Sequence, residues 1–207
     1  YLAYASYSTD LVAGQVNPAG PMWNMFLYDR TTGASSVISR AYGTTATVAN
    51  GNNNFSLALS RSGRYLAFRS AAANLLSGVT TNYAGGSNSS DVYVVDLQTG
   101  TMALASRVPG AGVVEAGYSN GWLRITNSAI VLFESRAANL VAGDFNGQSD
   151  LFLFQADLTP PAIAIGAPSA GSTTGGSIAY TISFTDAAAI DLTPAKVVLN
   201  ATGNAGA

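Results

Sequence analysis

The 207-residue chain has no cysteine and no histidine. It therefore lacks a disulfide framework, a thiolate nucleophile, an imidazole base and any Cys/His zinc site, and chemistry would fall to carboxylates, hydroxyls, Tyr or Arg. Most hydrolase triads are excluded. Charge is also scarce: 10% of residues are charged, nine basic against eleven acidic, where an average domain carries about 25%. Without a positive surplus, the counterion release behind DNA and RNA affinity is missing, so nucleic acid is not an expected partner. No apolar run approaches the ~18 residues of a membrane span, and no span is expected. What the chain does have is 48% hydrophobic residues and 22 glycines, enough for a core interrupted by many turns.

An internal repeat organises most of the sequence. "YLAYASYSTDLVAG" at the start returns as "YLAFRSAAANLLSG" from Tyr65 and as "IVLFESRAANLVAG" from Ile130, so that Tyr4, Phe68 and Phe133 correspond at periods of 64 and 65 residues. Each copy carries a short motif: Asp10-Leu11-Val12-Ala13-Gly14, Asn74-Leu75-Leu76-Ser77-Gly78 and Asn139-Leu140-Val141-Ala142-Gly143. A second apolar run follows in each, as Asn24 to Asp29, Asp91 to Asp96 and Asp150 to Gln155. Two of these lead through Thr32-Gly33 and Thr99-Gly100 into "SSVISR" and "TMALASR".

The runs are short, rich in β-branched and aromatic residues, and bounded by Gly, Asn and Ser, the pattern of strands. The fullest copy predicts four: Phe55 to Ser60, a turn at Ser62-Gly63, "RYLAF", a long loop to "DVYVVD", and a Gln98-Thr99-Gly100 turn into "MALAS". The third strand of each unit is apolar almost without alternation, as in Leu151-Phe152-Leu153-Phe154, so both of its faces should be covered. Four-stranded meanders stacked face to face around an axis satisfy that need, which predicts a β-propeller.

The pattern "LSRSGRYLAFRSAAANLLSG…DVYVVDLQTG" also resembles the TolB-like, WD-repeat-related propeller blades of bacterial secreted and surface proteins. The resemblance covers roughly residues 1 to 157 and is specific to fold; Ser62 stands where such blades often have Asp. It implies an extracellular or cell-surface setting, or the periplasm. Tyr1 enters directly on a second-type strand, and the third copy has Asp157-Leu158-Thr159-Pro160-Pro161 in place of a fourth strand. Register thus predicts two to three four-stranded blades of an incomplete ring, with further blades elsewhere in a parent chain.

At Thr159-Pro160-Pro161 the repeat stops, and two prolines in series block strand pairing. The expected division is residues 1–158 for the propeller blades and 159–207 for a linker and a second segment. In that segment Ile163 and Ile165 alternate with Ala, and Ile178, Tyr180, Ile182 and Phe184 alternate with small polar residues, the period of a half-buried sheet. It resembles the opening of a bacterial immunoglobulin-like module, but the 46 residues after Pro161 are about half of the ~100 such a sandwich needs. The overall expectation is an all-β chain, a partial β-propeller followed by a truncated Ig-like β-sandwich segment, with further Ig-like repeats in the parent protein.

In each unit the first and third turns are short, whereas the loops after the second strand are long: Tyr7 to Trp23, Ala71 to Ser90 and Arg136 to Ser149. The crossings between units, including Asn50 to Asn54, share the end of those loops. That elaborate end is the expected binding surface for a protein or glycan, with Tyr7, Trp23, Tyr83 and Phe145 as its aromatic members. Asp144, Asn146 and Asp150 place hard oxygens on one tight turn, a possible calcium ligand set; the alternative is an Asn-Gly turn with an Asp capping the next strand. Glu115 and Glu134 are the only glutamates. A glycosidase needs two facing carboxylates, and no catalytic residues are assigned. The expected function is a non-catalytic binding or structural platform. The alternative is an accessory propeller of a carbohydrate-active or peptidase-type hydrolase whose catalytic residues lie outside the chain.

Overall fold

The computed structural model describes residues 1–79, 90–110, 121–159, 162–169 and 178–185. Every element among them is a β-strand. Three small antiparallel sheets run in sequence order: β1 (Leu2–Ser6), β2 (Asn24–Tyr28) and β3 (Ser35–Val37); β4 (Asn53–Leu59), β5 (Tyr65–Ser70), β6 (Asp91–Asp96) and β7 (Met102–Leu104); then β8 (Leu123–Ile125), β9 (Ile130–Ser135) and β10 (Asp150–Gln155). A fourth sheet pairs β11 (Ala162–Ile165) with β12 (Ile182–Thr185). None closes on itself. The chain divides into two compact units, Tyr1–Leu158 and Thr159–Ala207.

The strands fall where the repeat puts them, with small shifts at some ends. β4 starts at Asn53 rather than Phe55, with a bulge between Asn54 and Leu57, and β8 begins at Leu123, leaving Trp122 outside it and largely exposed. The tight hairpins come from one local device. In Asp29–Gly33 and Asp96–Gly100 the glycine N–H donates to the Asp carbonyl at 2.8 and 2.7 Å. The carboxylate meanwhile accepts the N–H two residues on, from Thr31 and Gln98. Gly33 and Gly100 have φ of +71° and +77°, a region in which a Cβ is strained.

Period-two alternation then sorts side chains onto two faces. On one face of each sheet a pair of rings lies directly opposite on two neighbouring strands: Tyr4 with Phe26, Phe68 with Tyr93, Phe133 with Phe152. Their centroids are 5.6, 5.8 and 5.7 Å apart and the rings are stacked, a geometry that adds about 0.5–1.5 kcal/mol per pair beyond area burial. The opposite face is mainly aliphatic. Met25, Leu27 and Ile38 of the first sheet share one core with Leu66, Phe68, Tyr93, Val95 and Leu104 of the second. Ala67, Val92, Val94 and Ala105, on the other face of that second sheet, share the next core with Val131, Phe133 and Phe152 of the third. The aromatic faces of the second and third sheets thus pack onto the aliphatic face of the preceding sheet.

The middle sheet is covered on both sides, and all six residues of β6 are buried. The expectation of two covered faces does not hold for β10, which alternates half-buried and exposed. The reason is position: its aliphatic side, with Leu151 and Leu153 69% and 73% exposed, has no sheet packed on it among the described residues. In the second unit Ile163 and Ile165 are exposed and lie opposite Phe184 and Ile182.

Candidate functional site

The two ends of the sheets differ in construction. At one end lie the tight turns. The Ser60 hydroxyl accepts the Tyr65 N–H at 2.9 Å, and the Ser62 N–H donates to Asn127 Oδ1 at 2.9 Å, tying the second sheet to the third. Arg64 grips Asp96 through Nε and Nη2 at 2.8–3.2 Å. Burial pushes the Asp96 carboxyl up and is its largest single influence, yet Arg64 and the Gln98 N–H together outweigh it and hold the group below the ordinary value. Asp29 is also lowered, chiefly by the Thr31 N–H. These carboxylates are occupied by the turns they stabilise.

The other end is built from longer pieces. As each second strand ends, a serine hydroxyl accepts the N–H two residues on: Ser6 from Ser8, Ser70 from Ala72, Ser135 from Ala137, at 3.1–3.2 Å. The chain then turns, and the leucine of the repeated motif plugs the core at Leu75 and Leu140, whereas Leu11 stays more open. Asparagines bind the crossing between sheets to these loops. The Asn50 N–H donates to Asn74 Oδ1 at 2.9 Å, and Asn50 Oδ1 accepts the Ala73 N–H at 3.0 Å. Between them Gly51 passes so close to the chain that an added Cβ would lie 2.4 Å from the Ala71 carbonyl oxygen.

Next to this tie the Trp23 N–H donates to Asn52 Oδ1 at 3.2 Å, and the Trp23 ring meets Tyr7 edge-on with centroids 5.7 Å apart. Tyr7 is 52% exposed. One polar amide and two rings from both ends of a single long loop therefore form a fixed, solvent-facing corner. A ring offers an apolar face and edge while the amide offers a donor and an acceptor. That combination suits a sugar ring or a peptide side chain. Of the four expected aromatics, Tyr7 and Trp23 come together. Phe145 is 93% exposed on the 143–149 loop and makes no ring contact among the described residues; Tyr83 lies outside them, as does Glu115.

The structure brings Asp144, Asn146 and Asp150 to the lining of one shallow pocket. Asn146 Nδ2 donates to Asp150 Oδ2 at 3.3 Å, and Asn146 Oδ1 accepts the Gln148 N–H at 2.7 Å. Two carboxylates and one amide oxygen, the latter already accepting one hydrogen bond, are fewer ligands than the roughly six to eight oxygens that Ca²⁺ takes. Among the described residues no three acidic side chains gather as a metal site. The equivalents of Asp150 have a structural part. Ser39 Oγ donates to Asn24 Oδ1 and accepts the Met25 N–H, at 3.1 and 2.9 Å; Ser106 Oγ does the same with Asp91 Oδ1 and the Val92 N–H, at 2.7 and 2.8 Å. Glu134 accepts from the Ser149 hydroxyl and lies against Gly121.

Asn50, Asn52 and Asn74 were not singled out by sequence reasoning. A signal was present, since Asn74 occupies the motif position of Asn139 and Asp10, all short side chains able to accept from a neighbouring backbone. Among the described residues no helix is long and apolar enough to cross a membrane. A comparison with protein families, with curated proteins and with solved structures found no match.

Proposed function

We propose that residues 1–158 are TolB-like blades of a β-propeller, joined to an Ig-like module, and that they form a non-catalytic binding platform in a bacterial secreted or cell-surface protein. The observation that carries this reading is the contrast between ends: short self-bonded turns at one, and at the other long loops cross-tied by Asn50 and Asn74 around the pair of exposed Tyr7 and half-buried Trp23. Rigid scaffolds with loops gathered on one face present binding residues at low ordering cost. The repeated aromatic-on-aliphatic packing supports the blade reading, because it can continue from sheet to sheet.

The ligand class proposed for the corner is a glycan or an extended protein segment. Glycan and peptide arrays probed with the 207-residue chain test it. Binding that falls at least tenfold in both Tyr7→Ala and Trp23→Ala supports the reading; an array without binders, or binders indifferent to both changes, overturns it. Electron microscopy of the parent protein tests the architecture separately, where a ring of blades is expected and a two-layer sandwich would refute it.

A further inference from the structure

Comparing the three sheets position by position exposes a socket. Leu104 of β7 lies opposite Tyr93 and belongs to the core containing Ile38, Phe68, Leu75, Tyr93 and Val95. One sheet further on, the counterparts of those five residues are Ala105, Phe133, Leu140, Phe152 and Phe154, and all five line an open cavity of about 320 Å³ beside β10. The cavity is where the counterpart of Leu104 would sit.

The edge next to it is also prepared. In the second sheet the Val92 carbonyl and the Asp96 N–H bond toward the fourth strand, from the Ala105 N–H and to the Thr101 carbonyl. By the same alternation Leu151, Leu153 and Gln155 turn their backbone groups to the outer edge of β10, which has no strand paired to it among the described residues. Asp150 and the Leu151 N–H hold the places that Asp91 and the Val92 N–H hold beneath Ser106. The chain itself does not turn back to fill the edge. After β10 the Ala156 N–H bonds to the Ala129 carbonyl at 3.1 Å, and Ala156 and Leu158 enter the core.

We infer that β10 is a strand-addition site for an extended peptide segment of pattern apolar-x-Ser, bound antiparallel in the register of β3 and β7. The apolar side chain fills the cavity opposite Phe152, and the serine two residues on donates to Asp150 and accepts from the Leu151 N–H. The argument for this occupant is internal: "VIS" (Val37 to Ser39) and "LAS" (Leu104 to Ser106) already occupy the equivalent edges of the other two sheets. Main-chain pairing supplies affinity and the socket supplies specificity. The inference rests on register and holds whether or not the sheets belong to a propeller.

The probe is a fluorescein-labelled heptapeptide with the sequence of residues 101–107, Thr-Met-Ala-Leu-Ala-Ser-Arg, titrated with the 207-residue chain by anisotropy. Saturable binding is expected, weakened about tenfold when the peptide serine is Ala and lost when its leucine is Asp. In the chain, Leu153→Pro removes an outward N–H that an edge strand can forgo and should cost binding at least tenfold with an unchanged circular dichroism spectrum. Asp150→Ala should weaken the parent peptide but not the Ser→Ala peptide, the mark of a direct pair. No saturation up to about 1 mM, or binding indifferent to both chain variants, overturns the proposal. So does a dimer, seen by sedimentation, that excludes the peptide and dissolves in Leu153→Pro, because the occupant is then a second copy.

Discussion

The second and third sheets are built from the same repeat yet live in different surroundings. In β6 every residue is buried, whereas its counterpart β10 is half open, and the residues that differ most, Val94 and Leu153, are both aliphatic. What separates them is what lies beyond each strand. Burial in this chain is a property of having neighbours on both sides, so the same composition gives a core strand in one place and an edge in the next.

The largest effect that tests this contrast comes from placing a charge at the equivalent position. Val94→Asp puts a carboxylate between two packed sheets and should cost more than about 4 kcal/mol, enough to unfold the chain. Leu153→Asp should stay within about 0.5 kcal/mol. Urea unfolding followed by circular dichroism measures both, and equal losses would end the comparison. Close approach gives a smaller version. Gly51→Ala drives a Cβ into the Ala71 backbone and should cost about 1–3 kcal/mol. Gly121→Ala should cost a similar amount, because its Cβ would lie 2.4 Å from the Glu134 Cβ, which no side-chain rotation can move away. A matched pair of urea midpoints checks both.

Serine removal should sort by the charge of its partner. Ser106→Ala loses a bond to Asp91 and one to a buried N–H, about 1–3 kcal/mol, and Ser39→Ala should lose less because Asn24 is neutral. The smallest effect is on pH. Since the Asp96 carboxyl is lowered in the folded chain, its contribution is complete at neutral pH, above the unfolded value of about 3.9, and fades as pH falls through the lower folded value. With Arg64 half exposed, solvent screens the pair and that contribution is small. Asp96→Asn should flatten the acid limb of a midpoint-against-pH plot slightly and leave the slope above pH ~6 unchanged.

Much of this was readable beforehand. Strand positions follow from short apolar runs and from the Asp-to-Gly turns, whose determinants lie within five residues. The correspondence of Tyr4, Phe68 and Phe133 carries directly into the stacked pairs. The exposure of β10 was not readable, because Leu151-Phe152-Leu153-Phe154 looks like any doubly covered strand and its openness depends on what packs beside it, which a local run of residues does not specify. The corner of Tyr7, Trp23 and Asn52 was half legible: the loop ends were evident, but the contact with a crossing 29 residues on depends on how two sheets stack. The acidic turn was legible as chemistry but not as geometry, since only the fold shows that Gln148 takes the Asn146 oxygen.

The alternation of ring-bearing and aliphatic faces gives the stack a polarity. Two molecules meeting about a twofold axis would bring like faces together and could not reproduce the packing seen between its sheets, so an association that reproduces that packing is heterologous, head to tail. Such contacts either curve until they close or run on without limit. Whether a chain with this architecture remains discrete in solution therefore turns on the rotation between successive sheets, not on the strength of any one contact.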